Sequence, residues 1–158
     1  MELFQVDDAG QLFISPAISD WDLLLQHQLD TIIDLDADID DGVPTVPNQC
    51  LYIYFPIFDE DLPNLAKLDA VGHLGARIVQ AGHRVLSHCG MGFNRSALVA
   101  GVILHKLGMP GPEVVQRLRE RRPGALFNDC FADYLNSLPA SPALDRRLAE
   151  VFKNCRVE

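Results

Sequence analysis

Apolar and polar positions alternate in two different rhythms along this chain. Residues 3–6 and 12–15 are short β-prone runs separated by the turn signal Asp8-Ala9-Gly10, which predicts an opening hairpin or a pair of edge strands. Ser15-Pro16-Ala17 ends the second run. Ser19 or Asp20 can cap a helix to about Gln28, with Trp21, Leu24, Leu25 and Gln28 at helical spacing and Trp21 as a core anchor. Residues 31–35 are a β-branched run that reads as a buried strand, and residues 50–58 read as a second strand rich in aromatics. Pro63 fits the first turn of a helix through about Gln80, with Leu65, Leu68, Val71, Gly75, Ile78 and Val79 on its apolar face. Residues 84–87 form a short apolar run. Residues 97–107 then read as a helix with apolar side chains nearly all round. Gly108-Met109-Pro110-Gly111 stops that helix. Further helices are predicted from Pro112 to about Arg121, from Asn128 or Asp129 to about Leu138, and from Ser141-Pro142 onward, the last with Leu144, Leu148, Val151 and Phe152 on one face.

Strands that alternate with helices predict an α/β fold, with a central, mostly parallel sheet of four to five strands flanked by helices. At 158 residues one domain over residues 1–158 is expected, and a monomer. No repeat, low-complexity tract or linker interrupts it. No apolar run reaches the length of a membrane span, and the first residues lack the basic start and long apolar core of a signal peptide. The expected setting is cytoplasmic, where thiols stay reduced. The net charge is −9 and unevenly spread: the first 66 residues hold fourteen acidic side chains and no Lys or Arg. Such a balance argues against nucleic acid or an anionic membrane as partner. All thirteen basic residues lie in the remainder of the chain.

That remainder holds the stretch with the most chemistry. Residues 85–96 read Val-Leu-Ser-His-Cys-Gly-Met-Gly-Phe-Asn-Arg-Ser. A strand that runs through a glycine-bearing loop into a helix N-terminus is an anion site, because backbone N–H groups point inward and the helix dipole favours negative charge. Cys89 at the start of that loop sits in a positive field that favours the thiolate, the nucleophilic form. Arg95 offers a planar fork for two phosphate oxygens. Ser96 can hydrogen-bond the sulfur and stabilise it as a leaving group. A leaving alkoxide or phenoxide needs a proton, and the acidic run Asp59-Glu60-Asp61, on the loop after a strand, supplies candidate donors.

His88-Cys89-Gly90-Met91-Gly92-Phe93-Asn94-Arg95-Ser96 resembles the His-Cys-x-x-Gly-x-x-Arg-Ser/Thr signature of the protein tyrosine phosphatase superfamily. Chain length and surrounding pattern are similar to the small dual-specificity phosphatases, over about residues 12–138. The resemblance implies hydrolysis of phosphate monoesters through a cysteinyl-phosphate intermediate, with no metal or other cofactor. Cys89 would be the nucleophile, and Arg95 with the backbone of Gly90, Met91, Gly92, Phe93 and Asn94 the oxyanion cradle. The family's general acid lies on a loop of this kind in a Pro-x-x-Asp pattern, matched by Pro56 and Asp59, with Asp61 as the second choice. Relatives that use polyphosphates tend to carry basic residues inside the loop. The neutral interior here points to a single phosphate, on phosphotyrosine first and on phosphoserine or phosphothreonine if the pocket is shallow. The partner is then a phosphorylated protein or a small phosphomonoester.

Other readings compete at several positions. A catalytically slow phosphate-binding module would share the loop, as would a phosphatase of a non-protein phosphomonoester. A sulfurtransferase of the rhodanese type lacks the Arg-Ser ending, and low-molecular-weight phosphatases carry their loop near the N-terminus. Asp34, Asp36, Asp38, Asp40 and Asp41 alternate as in a calcium loop but lack its glutamate and glycine, which leaves a solvated loop as the preferred reading. His88 is assigned a structural role, bonding to backbone around the loop. His27, His73, His83 and His105 show no metal-ligand spacing. Cys50 is either a small apolar filler or a disulfide partner for Cys89 under oxidation. Asn128 is either a helix cap or a polar residue near the pocket. Arg117, Arg119, Arg121 and Arg122 are either a solvated face at a helix C-terminus, which is preferred, or a second anion subsite.

Overall fold

The computed structural model describes residues 1–140, so Cys155 and the helix expected from Ser141 lie outside the described residues. Five strands form one sheet in the order β1-β2-β5-β3-β4. They are β1 (Phe4–Gln5), β2 (Leu12–Ser15), β3 (Thr31–Asp34), β4 (Leu51–Tyr54) and β5 (Val85–His88). Only β1 runs antiparallel, paired with β2. The predicted opening hairpin therefore forms, and the buried carboxylate of Asp7 fixes its turn by accepting from the N–H groups of Gln11 and Leu12 at 3.0 Å. The helices are α1 (Trp21–Gln26), α2 (Leu65–Gln80), α3 (Arg95–Lys106), α4 (Gly111–Arg121) and α5 (Asp129–Asn136). No helix among the described residues is long and apolar enough to cross a membrane.

Side chains alternate across the sheet with the period of two that strands impose. Leu12, Ile14, Ile33 and Val85 point into the larger core, where α2, α3, α4 and α5 pack. Phe13, Ile32 and Leu86 point the other way into a smaller core under α1, with Leu24, Leu29, Trp21 and Tyr52. Trp21 belongs to this second core as a half-buried residue, and its indole N–H donates to Asp41 O at 2.8 Å. Helix α3 is buried on every side from Ser96 to His105, as its unbroken apolar sequence predicts. It lies close to α2, where a Cβ on Gly72 or Gly75 would fall 2.3 Å and 2.4 Å from Val102 and Ile103.

Two predicted boundaries move for local reasons. The strand expected over residues 50–58 ends at Tyr54, shortly before Pro56, which has no N–H for a ladder. Helix α2 starts after Pro63 rather than on it, because Asn64 caps it by accepting from Lys67 N at 3.0 Å.

The parallel register determines where function can lie. Ser15 aligns with His88, His88 with Asp34, and Asp34 with Tyr54. Four strands thus end in one row, and the loops that leave them converge at the carboxyl edge of the sheet, where ligands bind in open α/β folds. The same register separates Cys50 from Cys89. Leu51 aligns through Thr31 with Val85, at the opposite end of the strands. Cys50, one position earlier, is five positions from the level of Cys89, or about 16 Å along the strands alone, so the structure rules out the disulfide considered from sequence. Cys50 packs instead against the smaller core, and burial raises its thiol above the ordinary value.

Candidate active site

The loop from Cys89 to Asn94 is shaped by what its carbonyls bind. Gly90 O accepts from Ala17 N at 3.3 Å, Phe93 O from Leu126 N at 3.0 Å, and Gly92 O from Arg122 Nε at 3.3 Å. Carbonyls tied to outer neighbours turn the intervening N–H groups toward the inside of the loop. Gly92 has a φ of +71°, and a Cβ there would fall 2.6 Å from Pro16 N and 2.7 Å from Ser15 C. Only glycine fits, because the loop bends left-handed against the backbone that leaves β2. The loop closes into α3, whose first residue is Arg95.

Cys89 is 2% exposed and lies inside this cradle. Gly92 N donates to its sulfur at 3.3 Å, and Ser96 Oγ lies 3.6 Å from the sulfur. Ser96 and Ser87 are both buried, and Ser87 Oγ donates to Ser96 O at 3.1 Å, pinning the start of α3 to β5. Arg95 spans the mouth. Its Nη1 is spent on three acceptors: Leu35 O at 3.2 Å, Asp36 Oδ1 at 3.1 Å and Ile57 O at 3.3 Å. Its Nε is buried and has no partner among the described residues. One edge of the guanidinium is thus anchored and the other is left for an anion.

Asp59 is brought to the same loop. Its Oδ2 accepts from Asn94 Nδ2 at 2.9 Å, and its Oδ1 from Asn128 Nδ2 at 3.1 Å. Asp61 faces elsewhere, into a shallow cleft with Phe55, Leu62 and Lys67. Asn128 fills both roles weighed for it. It caps α5 and it reaches the acid loop, where its Nδ2 also donates to Glu60 O at 3.1 Å. Around the mouth, Met91 and Phe127 are 68% and 67% exposed, and Phe127 packs tilted on Phe93 with ring centroids 6.0 Å apart.

The aspartate run is the solvated loop expected only in part: Asp38 and Asp41 are exposed, whereas Asp34, Asp36 and Asp40 turn inward. Asp34 is fully buried at the end of β3, and Asp36 is the ion-pair partner of Arg95. Asp40 folds back over His88, whose Nε2 lies 2.7 Å from Asp40 Oδ2 and 3.6 Å from Asp34 Oδ1. His88 therefore bonds carboxylates and not the backbone as expected. Tyr52 completes the group: its hydroxyl donates to Asp34, lies 2.9 Å from Asp40 Oδ2 and accepts from Asp40 N at 2.9 Å. Burial, then the bond to Asp34, pushes the Tyr52 phenol well above its ordinary value, so it stays a donor. Asp34, Asp40 and His88 are close enough together to hold a metal ion. Their hydrogen bonds to one another and to Tyr52 already employ those atoms.

The arginine cluster stays at the surface as expected, with Arg119 and Arg121 exposed, but its members have specific partners. Arg117 and Arg121 pair with Asp8 at 3.1 Å and 2.8 Å, and Arg119 donates to Leu126 O at 3.0 Å. Arg122 alone turns to the loop from Cys89 to Asn94, through its bond to Gly92 O. From sequence, Asp36 and Asp40 read at most as calcium ligands and Arg122 as part of a second anion subsite, and the side-chain role of Asn94 is not legible. The available signal was the strand register, which sets Asp34 beside His88 and so carries the aspartate loop over the cysteine loop.

Comparison with known proteins bears on this arrangement. No family model matches the chain, and no curated protein matches it by sequence. Solved structures do match. Human DUSP28 aligns with a TM-score of 0.70 at 23% identity over 84% of this chain and 89% of its own. The chain has the dual-specificity phosphatase fold. Tk-PTP in its active form aligns on that fold with a TM-score of 0.66 at 21% identity, over 85% of this chain and 95% of its own. Human tyrosine phosphatase-like serine/threonine/tyrosine-interacting protein aligns with a TM-score of 0.68 at 23% identity, over 84% and 92%. The dual-specificity phosphatase fold, with a five-stranded and mostly parallel sheet flanked by helices, agrees with the architecture expected from sequence.

Proposed function

We propose that this protein is a cysteine-dependent phosphatase that hydrolyses phosphate monoesters through a cysteinyl-phosphate intermediate. The observation that carries this reading is the guanidinium of Arg95, anchored on one edge by three acceptors and unbonded at its buried Nε, beside a buried cysteine in a loop of inward N–H groups. In the first step the Cys89 thiolate forms an S–P bond as the P–O bond to the leaving group breaks, and Asp59 gives its proton to the departing oxygen. In the second step water attacks phosphorus, Asp59 takes the water's proton, and sulfur leaves as thiolate beside Ser96 and Gly92 N. Arg95 and the loop N–H groups hold the three other oxygens throughout, as preorganised donors do in the water-poor interior of a site.

Phosphotyrosine is the leading substrate class, with phosphoserine or phosphothreonine admitted if the mouth is shallow. Met91 and Phe127 give that mouth an apolar rim suited to a flat leaving group, and the loop offers no lysine for a second phosphate. Hydrolysis of p-nitrophenyl phosphate in EDTA, wild type beside Cys89→Ser, tests the reading. Turnover by the first and none by the second is expected. Equal turnover by both would overturn it, and binding of phosphate esters without any turnover would make the protein a binding module.

A further inference from the structure

We infer that Asn94 is a positioning residue for the acid: it holds Asp59 Oδ2 in both steps and leaves Oδ1 as the oxygen that carries the proton. The inference rests on the phosphatase reading above, with Asp59 as general acid. Asn94 is 2% exposed and joins two loops that are distant in sequence. Its Oδ1 accepts from the backbone N–H of Asn128 at 3.0 Å, and its Nδ2 donates to Asp59 Oδ2 at 2.9 Å. The backbone donor fixes which way the amide faces, because an N–H can meet only the amide oxygen. The nitrogen must then point at Asp59.

Asn128 meets the other oxygen of Asp59, but on different terms. Its Nδ2 donates both to Asp59 Oδ1 and to Glu60 O, each at 3.1 Å. Donors on both carboxylate oxygens suit the ionised form, which acts as base in the second step. The first step needs a proton on one oxygen, and an oxygen that bears the proton is a weaker acceptor, so the N–H bonded to it is held less well. Asn128 can release Oδ1 and keep Glu60 O. Asn94 Nδ2 has no second acceptor among the described residues, so releasing Oδ2 would leave a buried donor unpaired. Oδ1 therefore passes the proton to the leaving oxygen and later takes one from water, while Oδ2 stays on Asn94.

A series of aryl phosphates that differ in leaving-group basicity tests this, with wild type, Asp59→Asn, Asn94→Ala and Asn94→Asp. Asp59→Asn should lose about a hundredfold to ten-thousandfold in kcat on the most basic leaving groups and little on the least basic. Asn94→Ala should show the same trend at smaller size, about tenfold to a hundredfold on the most basic and under about threefold on the least, as expected of a misplaced acid. Asn94→Asp keeps an acceptor for Asn128 N, loses the donor and adds a negative charge beside Asp59, which lowers every rate in the series without removing the trend. It should repeat the trend and keeps the test open if the alanine variant fails to fold. Uniform loss across the series, or none, in both Asn94 variants while Asp59→Asn shows the trend would overturn the role of Asn94 and leave the phosphatase reading standing. No trend in Asp59→Asn would overturn Asp59 as the acid, and this inference with it.

Discussion

Arg122 lies over the ring of Phe93, its guanidinium carbon 3.9 Å from the ring centroid, while its Nε donates to Gly92 O. The same group lies 4.2 Å from the ring of Phe4 in β1. One side chain after α4 thus joins the opening hairpin to the outer wall of the cysteine loop. Arg122→Ala removes two cation–π contacts and a charged hydrogen bond, a loss of about 1–3 kcal/mol. A lower melting temperature and a fall in kcat/KM of about tenfold or more are expected, because the Gly92 peptide loses its outer tether. Arg122→Lys should recover only part of both, since an ammonium has neither the Nε donor nor the planar face. Full recovery by lysine would show that charge alone matters there.

The two glycines of the loop should respond differently to the same change. A methyl group on Gly92 meets the backbone of Ser15 and Pro16 at under 3 Å in a left-handed conformation. On Gly90 it meets Asp36 Oδ2 at 3.1 Å and Arg95 Nη2 at 3.4 Å, which are ends of side chains that can shift. Gly92→Ala should abolish vanadate or phosphate binding and cost about a hundredfold or more in kcat/KM, whereas Gly90→Ala should stay within about tenfold. Similar losses in the two variants would mean that the contact with β2 does not shape the loop.

Oxidation should leave Cys89 without help from Cys50. The two lie at opposite ends of parallel strands, and burial holds the Cys50 thiol above its ordinary value, which slows its attack on an oxidised sulfur. Peptide mapping after peroxide treatment should find no Cys50–Cys89 disulfide, and Cys50→Ser should recover activity with added thiol at the wild-type rate. A mapped disulfide would require the sheet to open.

The order of strands and helices was legible because β3 and β5, buried on both faces, carry the short apolar pairs Ile32-Ile33 and Val85-Leu86 between turn signals, and because α3 is apolar nearly all round. The cysteine loop was legible because its residues are contiguous. The residues that surround it were not, since each acts through a fold that brings distant loops together. Asp36 reaches Arg95 across 59 positions and Asn128 reaches Asp59 across 69. Aspartates spaced by two look solvated in one dimension. The burial of Asp34 and the inward turn of Asp40 follow from Asp34 falling beside His88 in the register, which no local pattern encodes. Arg122 was hidden in the same way, among three arginines on the same stretch that bind elsewhere.

The Asp40–His88 contact gives stability a dependence on pH whose sign is determined by burial. Burial raises the Asp40 carboxyl above its ordinary value of 3.8, and the charge of His88 and the bond from Tyr52 oppose that rise without cancelling it. The folded protein therefore takes up the Asp40 proton more readily than the unfolded chain does. This contribution to stability is fully present below pH 3.8, falls as pH rises through the elevated folded value, and is absent at neutral pH. Asp40→Asn keeps the size and one acceptor oxygen for His88 while removing the ionisation. At neutral pH the asparagine variant should be the more stable of the two in urea, and the gap should close as the pH is taken below that of an ordinary carboxylate. A variant that is less stable at neutral pH, with the deficit shrinking in acid, would show that attraction between ionised Asp40 and His88 outweighs the burial of the charge. The cluster would then be an ion pair beside Cys89.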